Sequence, residues 1–473
     1  MLKESLILLF QVLFIINMFF AVTIILFDRK TPGVTWAWLM IVLFIPFLGF
    51  IIYFVFGFDG KKYKEFVNKS KYDEQILEKY SKLKLDEFYA SSELEKNIVK
   101  LNFASSHSKL STNNEILIYH EGQDKFDNLI KDINNAKDYI HMQYYILRND
   151  DLGRRIINIL AKKASENVEV KLLLDGMTSK FIAKRILAPL ISSGGKVEMF
   201  MSPHFVKINF RNHRKICVID GNIGYIGGFN IGNEYLGKIK KFGHWRDCHI
   251  RIRGNAVKDL ELRFIMDWNY SSPNFKIDVS KFYFPKINTN DFSHMQIISS
   301  GPDTKWSSIQ YLYIKMISEA TKSIYIQTPY FIPDDSIFEM LRIASLSGID
   351  VRIMIPAYPD HPFVYWAALS YLGELIESNV KCYKYERGFV HSKLVIVDGK
   401  MASVGTANMD IRSLKLNFEI NALIYDEKQV EILESQFIED ISDSSIMDYE
   451  WYHGLSTTNK IKESLCRLIS PLL

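Results

Sequence analysis

The sequence predicts an α/β protein: two tandem copies of one α/β/α domain sharing an active site at their interface, preceded by an N-terminal two-helix transmembrane hairpin. Three observations predict it. A His-Lys pattern occurs twice at matched spacing, as His213-Arg-Lys215, Asp220, Gly227, Asn230 and as His391-Ser-Lys393, Asp398, Gly405, Asn408. From Glu115 onward, apolar strand-like runs alternate with helical periodicity. Near the N-terminus two runs, residues 5–27 and 34–58, hold no charged residue. Each exceeds the ~20 residues that a bilayer-crossing helix needs.

The first apolar run is too long for a signal-peptide core, and no small-residue cleavage site follows it. A polar turn, Asp28-Arg-Lys-Thr-Pro-Gly33, joins the runs into a hairpin over residues 1–58. Trp36 and Trp38 stand at one end of the second run, where interfacial aromatics belong. Pro46 and Gly49 are positions for a kink. Arg29 and Lys30 in the turn are outnumbered by Lys3, Lys61, Lys62, Lys64, Lys69 and Lys71 on the other side. That bias places both termini, and the catalytic domains, in the cytoplasm of a cell-membrane protein.

Residues 59–111 are rich in Lys, Glu and Tyr, with Ile76, Tyr80 and Leu83 at helical spacing. They read as one or two solvated linker helices. Strands are expected at 116–119, 139–145, 168–174 and 196–200, and helices at 125–135, 153–164 and 181–192. The second half repeats this text. Ala136-Lys-Asp-Tyr-Ile-His-Met-Gln143 aligns with Ala320-Thr-Lys-Ser-Ile-Tyr-Ile-Gln327, and Asp150-Asp151 with Asp334-Asp335. Self-similarity of this length implies two copies of one fold, residues 112–280 and 281–473. The boundary falls in the Pro- and Asn-containing stretch between Ser271 and Phe292.

The duplicated residues suit phosphodiester chemistry. On a strand, residues two apart share a face, so each His and its Lys look into one cleft. Neutral histidine attacks phosphorus and forms a covalent phospho-enzyme. A second, protonated histidine gives its proton to the departing alkoxide. Lys215, Lys393, Asn230 and Asn408 would stabilise charge on the phosphoryl oxygens. Gly227 and Gly405 would let the backbone approach a phosphate. Asp220 and Asp398 belong to the catalytic pattern, yet each precedes a glycine, the mark of a tight hairpin turn, and an architectural role outweighs proton transfer. Asp247 and Glu419 are the candidate carboxylates that fix the histidine tautomers, against the plainer reading of surface or capping carboxylates. A lone histidine is usually structural, and His107, His120, His294 and His453 have no supporting context.

Composition narrows the class. Net charge of +4 suits an anionic lipid surface and gives thin support for nucleic-acid binding. The four cysteines are scattered, with no CxxC, and read as reduced buried thiols. Neither a metal-ligand cluster nor a Walker or GxGxxG loop is present, so no metal and no cofactor are expected. Tyr330 and Phe331 are the groove-lining candidates among many aromatics.

The double motif resembles the phospholipase D superfamily, and the wider text is similar to its bacterial cardiolipin synthases. The stretches that carry the similarity include Gly227-Gly-Phe-Asn-Ile-Gly232, Trp245-Arg-Asp247, Thr328-Pro-Tyr-Phe-Ile-Pro-Asp334, Asn408-Met-Asp-Ile-Arg-Ser413 and Asn417-Phe-Glu419. The resemblance covers nearly the whole chain. It implies tandem phospholipase D-like domains and metal-independent phosphatidyl transfer from one phosphatidylglycerol to another, giving cardiolipin and glycerol. The implied partners are phosphatidylglycerol, other anionic lipids and the bilayer. The resemblance further implies His213 as nucleophile and His391 as acid, then base, although the sequence itself is symmetric. Many superfamily members carry Ser after the motif glycine, where this chain has Gly228 and Thr406. Rival readings are a lipid hydrolase with water as acceptor, a synthase using another alcohol or donor, a nuclease, and a non-catalytic lipid-binding scaffold. Two intact His-Lys-Asn sets argue against the last.

Overall fold

The computed structural model describes residues 8, 11–12, 14–19, 21–23, 32–45, 48–53, 57, 62–81, 93–179, 184–201, 209–279 and 291–470. The N-terminus corrects the first expectation. Among the described residues no helix is long and apolar enough to cross a membrane. The second apolar run is divided into helices Pro32–Phe44 and Leu48–Ile52. Thirteen residues at 1.5 Å each span ~20 Å, short of the ~30 Å hydrocarbon core. The chain bends at Ile45 and closes tightly, so that a Cβ on Gly49 would lie 2.4 Å from the Ile41 carbonyl. Asn17 of the first run donates to the Val42 carbonyl at 2.6 Å. The turn at 28–31, Pro46 and the remaining residues of both runs lie outside the described residues.

The first half contributes β1 (Ser111–Tyr119), β2 (Tyr139–Tyr144), β3 (Glu169–Asp175), β4 (Lys196–Phe200), β5 (Ile216–Ile219), β6 (Ile223–Gly227), β7 (His244–Arg246) and β8 (His249–Gly254). The second contributes β9 (Ser293–Ser300), β10 (Ser323–Gln327), β11 (Phe331–Ile332), β12 (Asp350–Pro356), β13 (Lys381–Tyr385), β14 (Gly388–Val390), β15 (Leu394–Val397), β16 (Met401–Gly405), β17 (Met409–Asp410), β18 (Glu419–Ile424) and β19 (Ser444–Met447). Fifteen of these form one sheet, in the order β19-β13-β12-β10-β15-β16-β18-β9-β1-β8-β6-β5-β2-β3-β4. Read outward from the β9–β1 junction, the two halves repeat each other through seven strands each, and β19 is an added edge strand on the second half. The centre of the sheet is therefore a pseudo-twofold axis, and the duplicated motifs flank it.

The core follows that symmetry. One face of the sheet carries a continuous apolar layer through both halves, with Val257 and Leu260 on one side and Val430 and Phe437 on the other. The opposite face carries a separate core for each half. Parallel pairs β2–β3 and β10–β12 are buried along most of their length, beyond their first residues, which explains their near-continuous apolar text.

Both motif aspartates sit in hairpin turns. Asp220 and Gly221 have φ of 50° and 64°, and Asp398 and Gly399 have 57° and 66°, so both turns take the left-handed geometry that Asp-Gly favours. Asp220 accepts from the backbone N–H groups of Lys137, Asp138 and Tyr139 at 2.8–2.9 Å. Asp398 accepts likewise from Thr321, Lys322 and Ser323. Each locks its hairpin to the start of the neighbouring strand. Seven residues of extended chain put each on the order of 20 Å from its histidine. Both aspartates hold the frame of their hairpins, the role that the Asp-Gly text favours.

The solvated-linker expectation also fails. Helix Lys62–Ser81 packs against both halves, with Phe66 edge-on to Phe210 of the first and Phe418 of the second. Lys69 is fully buried and contacts Asp73 (2.6 Å), Asp303 (2.6 Å) and Asp267 (3.2 Å). Arg263 and Arg214 complete a cluster of three cations and three carboxylates. Lys69 thus holds the fold together rather than adding a surface charge. Lys69→Met, leaving buried carboxylates short of a cation, is expected to cost about 3–5 kcal/mol of unfolding free energy. A denaturation midpoint within the equivalent of ~1 kcal/mol of wild type would contradict this.

Candidate active site

The two histidines meet across the pseudo-twofold axis, and each is held by the opposite half. The His213 backbone N–H donates to Phe418 O at 3.0 Å, and that of His391 to Arg246 O at 2.7 Å. β14 pairs in parallel with β7, which brings residues 388–390 against 244–246. A Cβ on Gly388 would lie 1.9 Å from the His244 carbonyl, so only glycine permits that approach.

The carboxylates cross the interface as well. His213 Nδ1 lies 3.0 Å from both oxygens of Glu419. His391 Nδ1 lies 2.7 Å from Asp247 Oδ2. Both carboxylates are fully buried, whereas the histidine side chains keep 10% and 11% exposure. A carboxylate on Nδ1 fixes the proton there and leaves each Nε2 lone pair facing the cleft. Glu419 is itself held by the Thr406 hydroxyl and by Asn417 Nδ2. Asp247 accepts from the Cys248 backbone N–H at 2.8 Å.

Gly228 accounts for the departure at the position after the motif glycine. A Cβ there would sit 1.9 Å from Asp247 Oδ1, whereas Thr406 at the equivalent position donates to the longer Glu419. Gly228→Ser is therefore expected to displace Asp247 and slow turnover by about 10²-fold with the fold intact. Wild-type turnover by that variant would show that Asp247 tolerates the displacement.

Each lysine turns back onto its own motif. Lys215 Nζ donates to His213 O at 2.7 Å, and Lys393 Nζ donates to His391 O. Burial pushes Lys215 down to about 7 and Lys393 to about 8, although Glu419 and Asp247 favour their charged forms. Burial, with the neighbouring lysines, also pushes His213 down and His391 down to about 4. Burial thus disfavours the charged forms of all four groups, and an anion beside them would favour those forms.

The supporting residues divide. Asn230 accepts from the Ile146 backbone N–H and donates to the Tyr235 hydroxyl, leaving one amide N–H. Asn408 is buried with its Oδ1 unpartnered. Gly227 has φ of 153°, and its Cβ would strike His249 Cα at 2.4 Å. Gly405 would strike Asn421 Oδ1 at 2.2 Å. These glycines permit close strand packing. Tyr330 donates to Asp360, while Phe331 is fully buried in β11 and belongs to the core, not to a groove.

Several neighbours of the histidines were given no role by the sequence. Tyr145 lies edge-on to His213 at 4.8 Å, and Trp245 packs against His391 at 5.2 Å. Behind the site Gln143 and Arg214 both donate to Asp267, while Gln327 and Arg246 both donate to Asp440. The first half supplies both arginines. Arg246 therefore crosses to the place that Ser392, the counterpart of Arg214, cannot fill. The four cysteines are buried and free. Among the described residues no group of three or more His, Cys, Asp or Glu could hold a metal ion.

Comparison with known proteins identifies the family. The family profile described as "Cardiolipin synthase, PLD-like domain" matches residues 129–268 and 313–441. A second profile, "Phospholipase_D-nuclease N-terminal", matches residues 15–57. The chain is 47% identical over 471 residues to cardiolipin synthase of Staphylococcus aureus strain N315, covering 97% of this chain and 95% of that one. It is 46% identical over 473 residues to cardiolipin synthase of Listeria innocua, covering 98% of each. The crystal structure of phosphatidylserine synthase from Haemophilus influenzae superposes with a TM-score of 0.63 at 16% identity, covering 81% of this chain and all of that one. That structure shares the fold.

Proposed function

The chain belongs to the phospholipase D-like cardiolipin synthase family, and on that premise we propose how its paired His-Lys centre makes cardiolipin. The enzyme is a phosphatidyltransferase. One histidine Nε2 attacks the phosphorus of a phosphatidylglycerol. The bond to the glycerol oxygen breaks, and the other histidine gives that oxygen a proton. A second phosphatidylglycerol then attacks the phosphohistidine through its terminal hydroxyl. The P–N bond breaks, and the hydroxyl proton returns to the second histidine. The products are cardiolipin and glycerol.

The observation that carries this reading is the crossed pairing of His213 with Glu419 and His391 with Asp247. It leaves two Nε2 atoms facing one cleft, as an in-line displacement with separate nucleophile and acid requires. Lys215 and Lys393 supply the charge that the phosphoryl oxygens develop. His213 is the nucleophile and His391 the acid–base by family analogy. Asn230 and Asn408 support the phosphate, each through an amide N–H. The lipid substrates place the enzyme at a membrane. Exposed apolar side chains such as Phe14, Ile15, Phe19 and Phe44 support contact with lipid there. Lys61, Lys62, Lys64 and Lys71 support a cytoplasmic location of the catalytic halves.

The test is a product assay on detergent-solubilised protein with phosphatidylglycerol as the only lipid. Equal amounts of cardiolipin and glycerol are expected. Phosphatidate with little cardiolipin would make the chain a hydrolase. The lysines also predict a pH profile. Their charged forms are lost as pH rises through about 7 for Lys215 and about 8 for Lys393 in the free enzyme. Because kcat/KM reports the free enzyme, it should fall by up to about tenfold per pH unit above pH ~8. A flat profile to pH 10 would show that the lysines stay charged.

A further inference from the structure

We propose that Arg211 and Arg412 bind the phosphodiester of the acceptor phospholipid, the second of the two anions that the reaction brings together. This deepens the synthase reading and rests on it. The arginines come from opposite halves. Arg211 stands two residues before His213, and Phe418 lies between them, donating to Arg211 O at 2.9 Å and accepting from His213 N at 3.0 Å. In extended chain, alternate residues share a face, so Arg211 opens a row continued by His213 and Lys215. Arg412 is carried by the helix Ile411–Lys415.

Both guanidiniums have donors to spare. Arg412 Nη2 donates to Asn209 O at 2.8 Å, and Arg211 Nη1 to Phe210 O at 3.3 Å. Among the described residues no carboxylate lies within ion-pair distance of either one, and each guanidinium carries five N–H donors. The nearby carboxylates are engaged elsewhere. Asp410 caps its helix by accepting from Ser413 N at 2.6 Å, and Asp175 accepts from Asn212 N at 2.9 Å. Burial and the charge of Arg211 push Arg412 below its ordinary value, which an anion between them would relieve. Both charges also act on the hydroxyl of Tyr145, whose ring abuts His213.

The pair breaks the pseudo-twofold symmetry. Two residues before His391 stands the buried Phe389, and four residues after Asn230 stands Glu234, paired with Arg148. Phosphohistidine chemistry is served by symmetric residues, so this cationic pair answers an asymmetric need. In the second step the acceptor hydroxyl forms the new P–O bond, the P–N bond breaks and the proton passes to the other histidine. The three carbons of the acceptor's glycerol headgroup separate its own phosphodiester from that hydroxyl, with a negative charge that Lys215 and Lys393, on the reacting phosphate, leave uncompensated.

The test compares two acceptors on the full chain in detergent micelles: phosphatidylglycerol, read as cardiolipin, and labelled free glycerol, read as exchange into phosphatidylglycerol. R211Q and R412Q should each lower cardiolipin formation by about tenfold or more, with exchange retained within about twofold. Arg412→Lys should recover part of the loss. Parallel loss of both reactions, or of neither, would overturn the proposal. So would unchanged micellar rates with lost sedimentation on phosphatidylglycerol–phosphatidylcholine vesicles, which would assign the pair to the bilayer surface. Wild-type protein that released phosphatidate and no cardiolipin would overturn the synthase reading itself, and the acceptor site with it.

Discussion

His213→Ala and His391→Ala should each lower cardiolipin formation by at least about 10⁴-fold. Each removes an Nε2 that nothing else in the cleft replaces. The loss should appear in kcat. The carboxylate left behind in each variant is buried, so some stability is lost too, and circular dichroism must confirm the fold. The double variant should be scarcely worse than either single one, because nucleophile and acid act as a unit. A single variant retaining more than about 1% of wild-type turnover would remove that histidine from the chemistry.

Asp247→Asn and Glu419→Gln should lower kcat by about 10²–10³-fold, with KM nearly unchanged. Each carboxylate holds the Nδ1 proton of a histidine in the other half and stabilises the imidazolium when it forms. Neutralising it leaves the packing largely as it is but removes that charge. Burial already lowers both histidines, and their carboxylates oppose this. Without Asp247, His391 would be still harder to protonate. The acid limb of its pH profile should therefore move down, a shift that a purely structural loss would not produce. Equal losses in kcat at every pH would point to structural damage instead.

Much of this site was legible because the chemistry repeats. A chain with two matched His-Lys-Asn sets betrays the duplicated fold and the side chains that the two halves bring to their interface. The hairpin turns were legible too, since Asp-Gly reads as a turn from local geometry alone. Crossing partners were not. His213 and Glu419 are 206 residues apart and His391 and Asp247 are 144 apart, and no local pattern states which pairs with which. Gly228 looked like a lost hydroxyl, but its meaning is the space that Asp247 occupies. Lys69 read as a surface charge because its sequence neighbourhood is polar, whereas its partners Asp267 and Asp303 come from distant segments. Hydropathy alone predicted two spanning helices. It registers apolar length but not the bend at Ile45 that divides the second run.

The central claim is a covalent phosphatidyl-enzyme formed in one cleft shared by both halves. The most direct measurement is to quench wild-type enzyme during turnover of ³²P-phosphatidylglycerol in strong base, digest it and locate the label. The account predicts a base-stable, acid-labile phosphate on one peptide, containing either His213 or His391, absent when that histidine is alanine. Turnover that produced cardiolipin with no label on either histidine would contradict it.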